Sequence, residues 1–426
     1  MGAVTKTPTI GFAGLTHLGL NSALAAAIKG FDVVGWDESE TLIECLVNDN
    51  IPINEPEFDK HFGRVKEQFR FSASLEVLGV CDVVYFSVDV PTDDQGASNL
   101  APISALLEQV VAVIREDCVF VILSQVPPGF TATMRDRFRL LYYQVETLIF
   151  GRAVERATKP ERFIIGTPEP RSDLPLNYRT YLESFDCPIL PMRYESAELC
   201  KIAINCFLVA SVTTTNALSG ICEKIGADWE EIAPALRLDA RIGPNAYLKP
   251  GLGISGGNLE RDLRNVVEMA TEHDVDAGPI EEYRRFSEAS KAWVFDELQT
   301  VFGNALGGKT IGVLGLAYKE NTHSTKNSPA LKLIENLGDC TLRVYDPVVP
   351  SSAAAGVEGF GDPISCCSEC DAVCIMTPWD EFRAIEPTSL AKNMSGNLVI
   401  DPYDLLDSQA LASVGLMHHV RGRPPN

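Results

Sequence analysis

The chain is poor in what several function classes require. Its 426 residues carry 36 lysines and arginines against 58 aspartates and glutamates, for a net charge of -22. A nucleic-acid or anionic-membrane surface needs a basic face, so neither partner is expected. Basic residues that meet an anionic ligand must then be local. No unbroken apolar run reaches the roughly 20 residues of a membrane span. The first apolar segment begins at Thr9, too early to follow a targeting peptide. Gly2 has Lys6 where a myristoylation signal places Ser or Thr. A chain of this length needs no disulfides, so its 12 cysteines are expected as thiols in a reducing cytoplasm. Cys118, Cys206 and Cys374 lie in apolar runs and read as small core residues. Cys367 and Cys370 in CCSEC have C-x-x-C spacing, but no second cysteine pair or histidine pair matches it. The stretch reads as a helix end followed by a buried strand, and no metal site is expected.

What is present is an ordinary globular composition, 46% hydrophobic and 22% charged. The length exceeds what one core usually spans, so two or three domains are expected. In the N-terminal part, TIGFAG, FDVVGWD, CDVVYFSV, CVFVILS and RFIIG read as strands. Leu20 to Ile28 reads as a helix rich in Ala and Leu. Strands alternating with helices predict a parallel sheet covered on both faces. From Glu195 to about Phe302 the pattern is helical, with Gly226 as a stop for the first long helix. The alternation resumes at Lys309 with TIGVLGLAY, a helix closed by Gly338, and the strands CTLRVYDP, CDAVCIMT and NLVID. TIGFAGL and TIGVLGL read as one unit used twice. The expected fold is α/β, two Rossmann-like doubly wound domains joined by a long helical segment. The boundaries are 1–193, 194–304 and 305–426.

Gly14-Leu15-Thr16-His17-Leu18-Gly19 follows a strand and opens a helix. The dinucleotide fingerprint G-x-G-x-x-G is met at its first and third glycines, with Thr16 at the second. The helix N-terminus offers N–H groups and a positive dipole end to a diphosphate. Asp37 closes the second strand, where a carboxylate suits the free ribose hydroxyls of NAD and repels the extra phosphate of NADP. His17 is either a cofactor contact or an exposed loop residue.

Further motifs follow in order: VPTDDQGASNL, LSQVPPGFT, AELCKIAINCF, LDARIGPNAYLKPGLGISGGNLERD, GLAYKENTHSTKNSPALKLIE, YDP and TPWDEFRAI. Together they resemble the UDP-glucose/GDP-mannose dehydrogenase family over nearly the whole chain. The resemblance implies NAD as cofactor, a nucleotide-sugar substrate and a homodimer formed through the helical middle. Most such enzymes oxidise the sugar alcohol twice, through a cysteine thiohemiacetal and thioester.

Here the chain departs. The family's loop resembles G-x-G-F-G-G-S-C-F-P-K-D, and Asn258 stands at its cysteine, Arg261 at its lysine and Asp262 at its aspartate. No cysteine occurs between Cys222 and Cys340 to take over. An amide nitrogen is not nucleophilic, so Asn258 is either a helix N-cap or a polar contact to the sugar. Lys201 and Asn205 match K-x-x-x-N, one helical turn apart. The resemblance gives them the oxyanion, and gives Asp262 the alcohol proton through water. Glu146 aligns with an acid that assists thioester hydrolysis, but Phe150 replaces a second acid. Gln125 replaces a threonine, and Tyr403 stands in Asp401-Pro402-Tyr403 where the family's D-G-R has its arginine.

Nucleotide contacts look better kept. Tyr247, Leu248 and Lys249 with Gly253 resemble the stretch that wraps base and diphosphate, and Lys319 matches the lysine of G-L-A-F-K. Arg241 matches an arginine that reaches the neighbouring subunit's substrate. Thr92 and Gln125 fall at cofactor positions, and Lys326 replaces an arginine near the cofactor diphosphate. The implied function is an NAD-dependent oxidoreductase that transfers hydride from a sugar carbinol, of a UDP-hexose by preference, without thioester chemistry. The alternatives are an epimerase using transient oxidation and a non-catalytic nucleotide-sugar binder.

Overall fold

The computed structural model describes residues 7–53, 55–90 and 99–424. Thr92 lies outside them. The chain forms two compact units, Met1–Ala203 and Ile204–Asn426.

The first unit is built on eight strands: β1 (Ile10–Ala13), β2 (Val33–Trp36), β3 (Phe69–Ser72), β4 (Val83–Phe86), β5 (Val119–Ile122), β6 (Leu141–Gln144), β7 (Phe163–Gly166) and β8 (Ile189–Met192). Their order is β3-β2-β1-β4-β5-β6-β7-β8. Neighbours run parallel except β6 and β7, which pair antiparallel. The inner strands IGFA, VVGW, VVYF and VFVI are buried at every position, as a sheet covered on both faces demands. Helix α1 (His17–Ile28) follows β1 and buries eight of its residues, four of them alanine. Small side chains let it lie close on the sheet. It begins three residues before the expected Leu20, because the turn at Gly14 is tighter than apolar periodicity alone reveals.

Helix α2 (Tyr194–Ile225) runs 32 residues and spans the boundary of the two units. It ends where Gly226 takes φ +82°, the left-handed position that favours glycine. Although no unbroken apolar run reaches a membrane span's length, α2 is by length and composition alone long and apolar enough to cross a membrane, with mean hydropathy 1.4 over its most apolar window. Only 28% of that window is buried. Phe207, Ile221 and Ile225 stand exposed on it.

The second unit continues with α3 (Trp229–Leu238), α4 (Asn258–Glu272), α5 (Gly278–Lys291) and α6 (Trp293–Phe302). Six parallel strands follow: β9 (Thr310–Leu314), β10 (Thr341–Tyr345), β11 (Glu358–Gly359), β12 (Ala372–Ile375), β13 (Leu398–Ile400) and β14 (Met417–His419). Their order is β11-β10-β9-β12-β13-β14. The two units repeat one arrangement. Gly14 has φ +100° and Gly315 φ +99° at the turn after the first strand of each sheet. In each, an aspartate ending the second strand accepts the N–H just past that glycine, Asp37 from Leu15 at 2.9 Å and Asp346 from Leu316 at 2.7 Å. CCSEC is a helix end, with Cys366, Cys367 and Cys370 buried and their thiols pushed up by burial, before buried β12. All 12 cysteines are free thiols.

Candidate active site

In the first unit the glycine positions have steric causes. A Cβ on Gly19 would stand 1.8 Å from the Gly14 carbonyl oxygen, so α1 can meet the turn only with glycine there. Ser87 Oγ donates to the same carbonyl at 2.7 Å. Thr16 is the N-cap of α1, yet its side chain makes no capping bond, and its Oγ1 is buried with no hydrogen-bond partner among the described residues. A buried hydroxyl without a partner at a helix N-terminus fits an anionic group placed there. Leu18 packs against the core. Asp37 uses Oδ2 on Leu15 N–H and Oδ1 on Ser39 N–H at 3.0 Å, leaving each oxygen a second lone pair.

His17 is not a loop residue. It is the first residue of α1, with Nε2 2.7 Å from Glu55 Oε1 and its ring stacked on Phe150 at 4.2 Å. Buried Glu55 also accepts Gly151 N–H at 2.9 Å and Ala153 N–H at 3.1 Å. Thus the turn at α1 and the segment after β6 are tied together. Glu55 was not found from the sequence, since its partners lie 38 to 98 residues away. The same segment carries Glu146, whose Oε2 lies 3.2 Å from Lys201 Nζ, with both side chains largely buried. The other Glu146 oxygen accepts Leu148 N–H. Gln125 is half-buried past β5. Glu198, three residues before Lys201 on α2, is 1% exposed and accepts Gly129 N–H at 2.6 Å and Thr131 N–H at 2.9 Å. Burial raises its pKa.

In the second unit α2 presents Asn205, one turn after Lys201. Asn205 Nδ2 donates to Asp262 Oδ2 at 2.5 Å. Asp262 is 1% exposed, and Arg261 Nε lies 3.3 Å from its other oxygen. Arg261 Nη2 is buried without a hydrogen-bond partner among the described residues. Asp262 reaches this place because α4 starts after a glycine pair in which Gly256 and Gly257 both have φ +89°. A Cβ on Gly256 would fall 2.5 Å from the Tyr318 ring, and one on Gly257 3.0 Å from Lys326 Cε. Gly256 N–H donates to the Lys326 carbonyl at 3.0 Å. Upstream, Gly253 at φ +82° brings its backbone against Ser287, whose Oγ accepts Ile254 N–H at 2.8 Å.

The capping role for Asn258 is corrected. Gly257 is the N-cap of α4, no side chain caps it, and Asn258 is the exposed first helical residue. Gly257 takes the cap position because the turn needs positive φ, which costs Asn more than Gly. Cys206 lies next to Asn205, and burial first, with the charge of Asp262 second, pushes its thiol pKa up, which disfavours the thiolate.

The expected substrate residues spread over the second unit. Tyr247 is exposed, and its carbonyl accepts Ser211 Oγ at 2.9 Å and Thr215 Oγ1 at 3.1 Å. Leu248 is buried, and its carbonyl accepts Trp229 Nε1 at 2.7 Å. Lys249 is exposed, while Lys319 and Lys326 are half-buried. Arg241 is held by Asp239 at 2.6 Å, with its side chain 89% exposed. Tyr403 Oη donates to the Met376 carbonyl at 3.2 Å. Asp401, two residues before it, is fully buried and accepts the Tyr403, Leu405 and Leu406 N–H groups.

Three profiles of the UDP-glucose/GDP-mannose dehydrogenase family match in order: its NAD binding domain at 8–181, central domain at 195–288 and UDP binding domain at 312–408. The UDP-glucose 6-dehydrogenase of Rhizobium meliloti (strain 1021) is 29% identical over 433 residues, covering 96% of this chain and 98% of its own. That of Rickettsia bellii (strain RML369-C) is 27% identical over 431 residues, covering 97% and 99%. The solved structure of a UDP-glucose dehydrogenase from Pyrobaculum islandicum has TM-score 0.84 at 24% identity, covering 98% of both chains. That of the UDP-D-ManNAc dehydrogenase from Pyrococcus horikoshii has TM-score 0.83 at 24% identity, covering 97% of this chain and 99% of its own. At such identity these two structures speak for the fold.

Proposed function

The chain belongs to the UDP-glucose/GDP-mannose dehydrogenase family, and on that premise we propose that it oxidises a UDP-hexose without a cysteine thioester. The observation that carries this reading is the Asn205–Asp262 hydrogen bond beside a helix start that bears Asn258 in place of a thiol. The cofactor is NAD, held by the family's NAD binding domain. In our reading the turn from Gly14 to Gly19, with the Thr16 hydroxyl, holds its diphosphate, and Asp37 meets its ribose. NAD, when bound, supplies the electron acceptor.

The chain's own residues supply the rest. Asp262 accepts hydrogen bonds from Asn205 and Arg261, which aim an acceptor-only carboxylate. It takes the proton of the sugar alcohol through a water. Lys201 and Asn205 stabilise the oxygen as charge develops, with Glu146 holding the ammonium in place. Asn258 touches the sugar as a polar contact. With one oxidation the product is an aldehyde or ketone, and it is an acid where the aldehyde hydrate is oxidised in turn. We assign the working parts to 1–193 for the cofactor, 194–304 for substrate and pairing, and 305–426 for the nucleotide. The exposed apolar side chains of α2, with Leu238 after it, would pair two copies, and Arg241 would then reach the partner's site.

The test is a screen of UDP-hexoses with NAD, following reduced-nicotinamide absorbance and product mass. Labelled substrate separates the variants. Label loss without a net product marks an epimerase, and no loss or exchange marks a binder.

A further inference from the structure

Arg421 follows β14 and is 7% exposed. It is a buried cation that forms no salt bridge with a carboxylate among the described residues. Among the described residues, Nη1 donates to the carbonyl oxygen of Gly251 and, at 3.3 Å, to that of Ser290. Ser290 lies in the last turn of α5, where the helix dipole is negative. The Trp293 ring lies 5.8 Å from the guanidinium. Glu223 supplies negative charge nearby, but its two oxygens accept Gly422 N–H at 2.9 Å and Trp293 Nε1 at 3.2 Å. Arg421 Nε is buried with no hydrogen-bond partner among the described residues. Burial pulls the guanidinium pKa down to about 10, so it remains a cation at neutral pH. A guanidinium is a rigid five-donor fork whose side-on edge suits a pair of oxygens. Here the Nε corner of that edge has no partner among the described residues.

The place matters as much as the chemistry. Gly251 opens the glycine loop that leads to Asn258 and Asp262. Its N–H is held by Asn216 Oδ1 at 3.0 Å, and its carbonyl by Arg421. Tyr403 Cε1 lies 3.6 Å from where a Cβ on Gly251 would sit. Tyr403 and Arg421 are close enough for each to alter the other's ionisation. Position 403 is where the family resemblance leads one to expect an arginine. The second unit therefore keeps a guanidinium beside that position, carried by the end of the chain.

We propose that Arg421 is a substrate-binding residue that restores the guanidinium absent from position 403, with its Nε edge binding an oxygen pair of the nucleotide sugar. This rests on the UDP-hexose reading above. The oxygen pair belongs either to the diphosphate or to neighbouring sugar hydroxyls.

The test is calorimetry on the full chain with UDP, UDP-glucose and NAD, for wild type, Arg421→Lys and the double variant Arg421→Met with Tyr403→Arg. Arg421→Lys keeps the charge and loses the fork. It should bind UDP-glucose roughly 10- to 100-fold more weakly with NAD affinity unchanged. The double variant should recover part of that loss. A matching loss for UDP assigns the diphosphate, and a loss confined to UDP-glucose assigns the sugar; either supports Arg421. Wild-type affinity in Arg421→Lys, even with a lowered melting temperature, makes Arg421 a structural tie of Gly251 and overturns the proposal. A wild-type chain that binds neither UDP compound overturns the functional reading, and Arg421's role falls with it.

Discussion

Asn205 on α2 donates to the Asp262 carboxylate on α4 at 2.5 Å, across 57 residues of sequence. The contact holds a buried acid in one orientation. Asp262→Asn keeps the shape and removes the proposed proton acceptor. We expect turnover to fall by about 10²- to 10⁴-fold with UDP-hexose affinity nearly unchanged, read by steady-state kinetics and calorimetry. Unchanged turnover would move the base elsewhere.

Lys201→Ala removes the charge that we propose stabilises the developing oxyanion, and turnover should drop by roughly 10²- to 10³-fold. Glu146→Gln leaves Lys201 in place without its ion pair and should cost less. If Glu146→Gln costs as much as Lys201→Ala, the carboxylate itself takes part in the chemistry.

Asn258 and Gly257 should separate stability from contact. Asn258 is exposed and does not cap α4, so Asn258→Ala should change stability by less than about 0.5 kcal/mol. Gly257 has φ +89°, with Lys326 Cε 3.0 Å from an added Cβ. Gly257→Ala should cost about 1–3 kcal/mol. Chemical denaturation of the two variants decides. A larger loss at 258 than at 257 contradicts the assignment of the cap.

Glu198 sets a pH dependence. Burial raises its folded pKa above the ordinary 4.5, so the fold favours the protonated form. Its stabilising contribution is full below 4.5 and is lost as pH rises through the raised value. Wild type should therefore gain melting temperature relative to Glu198→Gln as pH falls from neutral toward 4.5. A difference that stays flat across that window refutes it.

Asp37 places a carboxylate at the end of β2, so NAD should bind more tightly than NADP by calorimetry. Tighter NADP binding overturns its ribose role.

How far the sequence could be read depended on the range of each contact. Fully apolar runs such as VVYF and VFVI announce central strands. The edge strands do not. FRFS of β3 is half-exposed, and ILPM of β8 contains Pro191, which a sheet tolerates only at its margin. Short β14, MHH, lies at the other sheet's edge and has no strand-like pattern. Lys201 and Asn205 stand out in the sequence through their match to the family's K-x-x-x-N, a motif short enough to read because one helical turn separates its two ends. Glu55 and Arg421 were not, because their partners lie up to 98 and 170 residues away and no local motif marks them. Asn258 was legible as a departure, but its place one residue inside the helix depended on the positive φ of Gly257, a backbone property that composition does not reveal.

The central claim is catalysis without a covalent sugar–enzyme intermediate. Intact-protein mass spectrometry during turnover of a UDP-hexose with NAD tests it most directly. The account predicts reduced nicotinamide and altered sugar mass while the protein stays at its unmodified mass. A sugar adduct on any residue, Cys206 included, would contradict it.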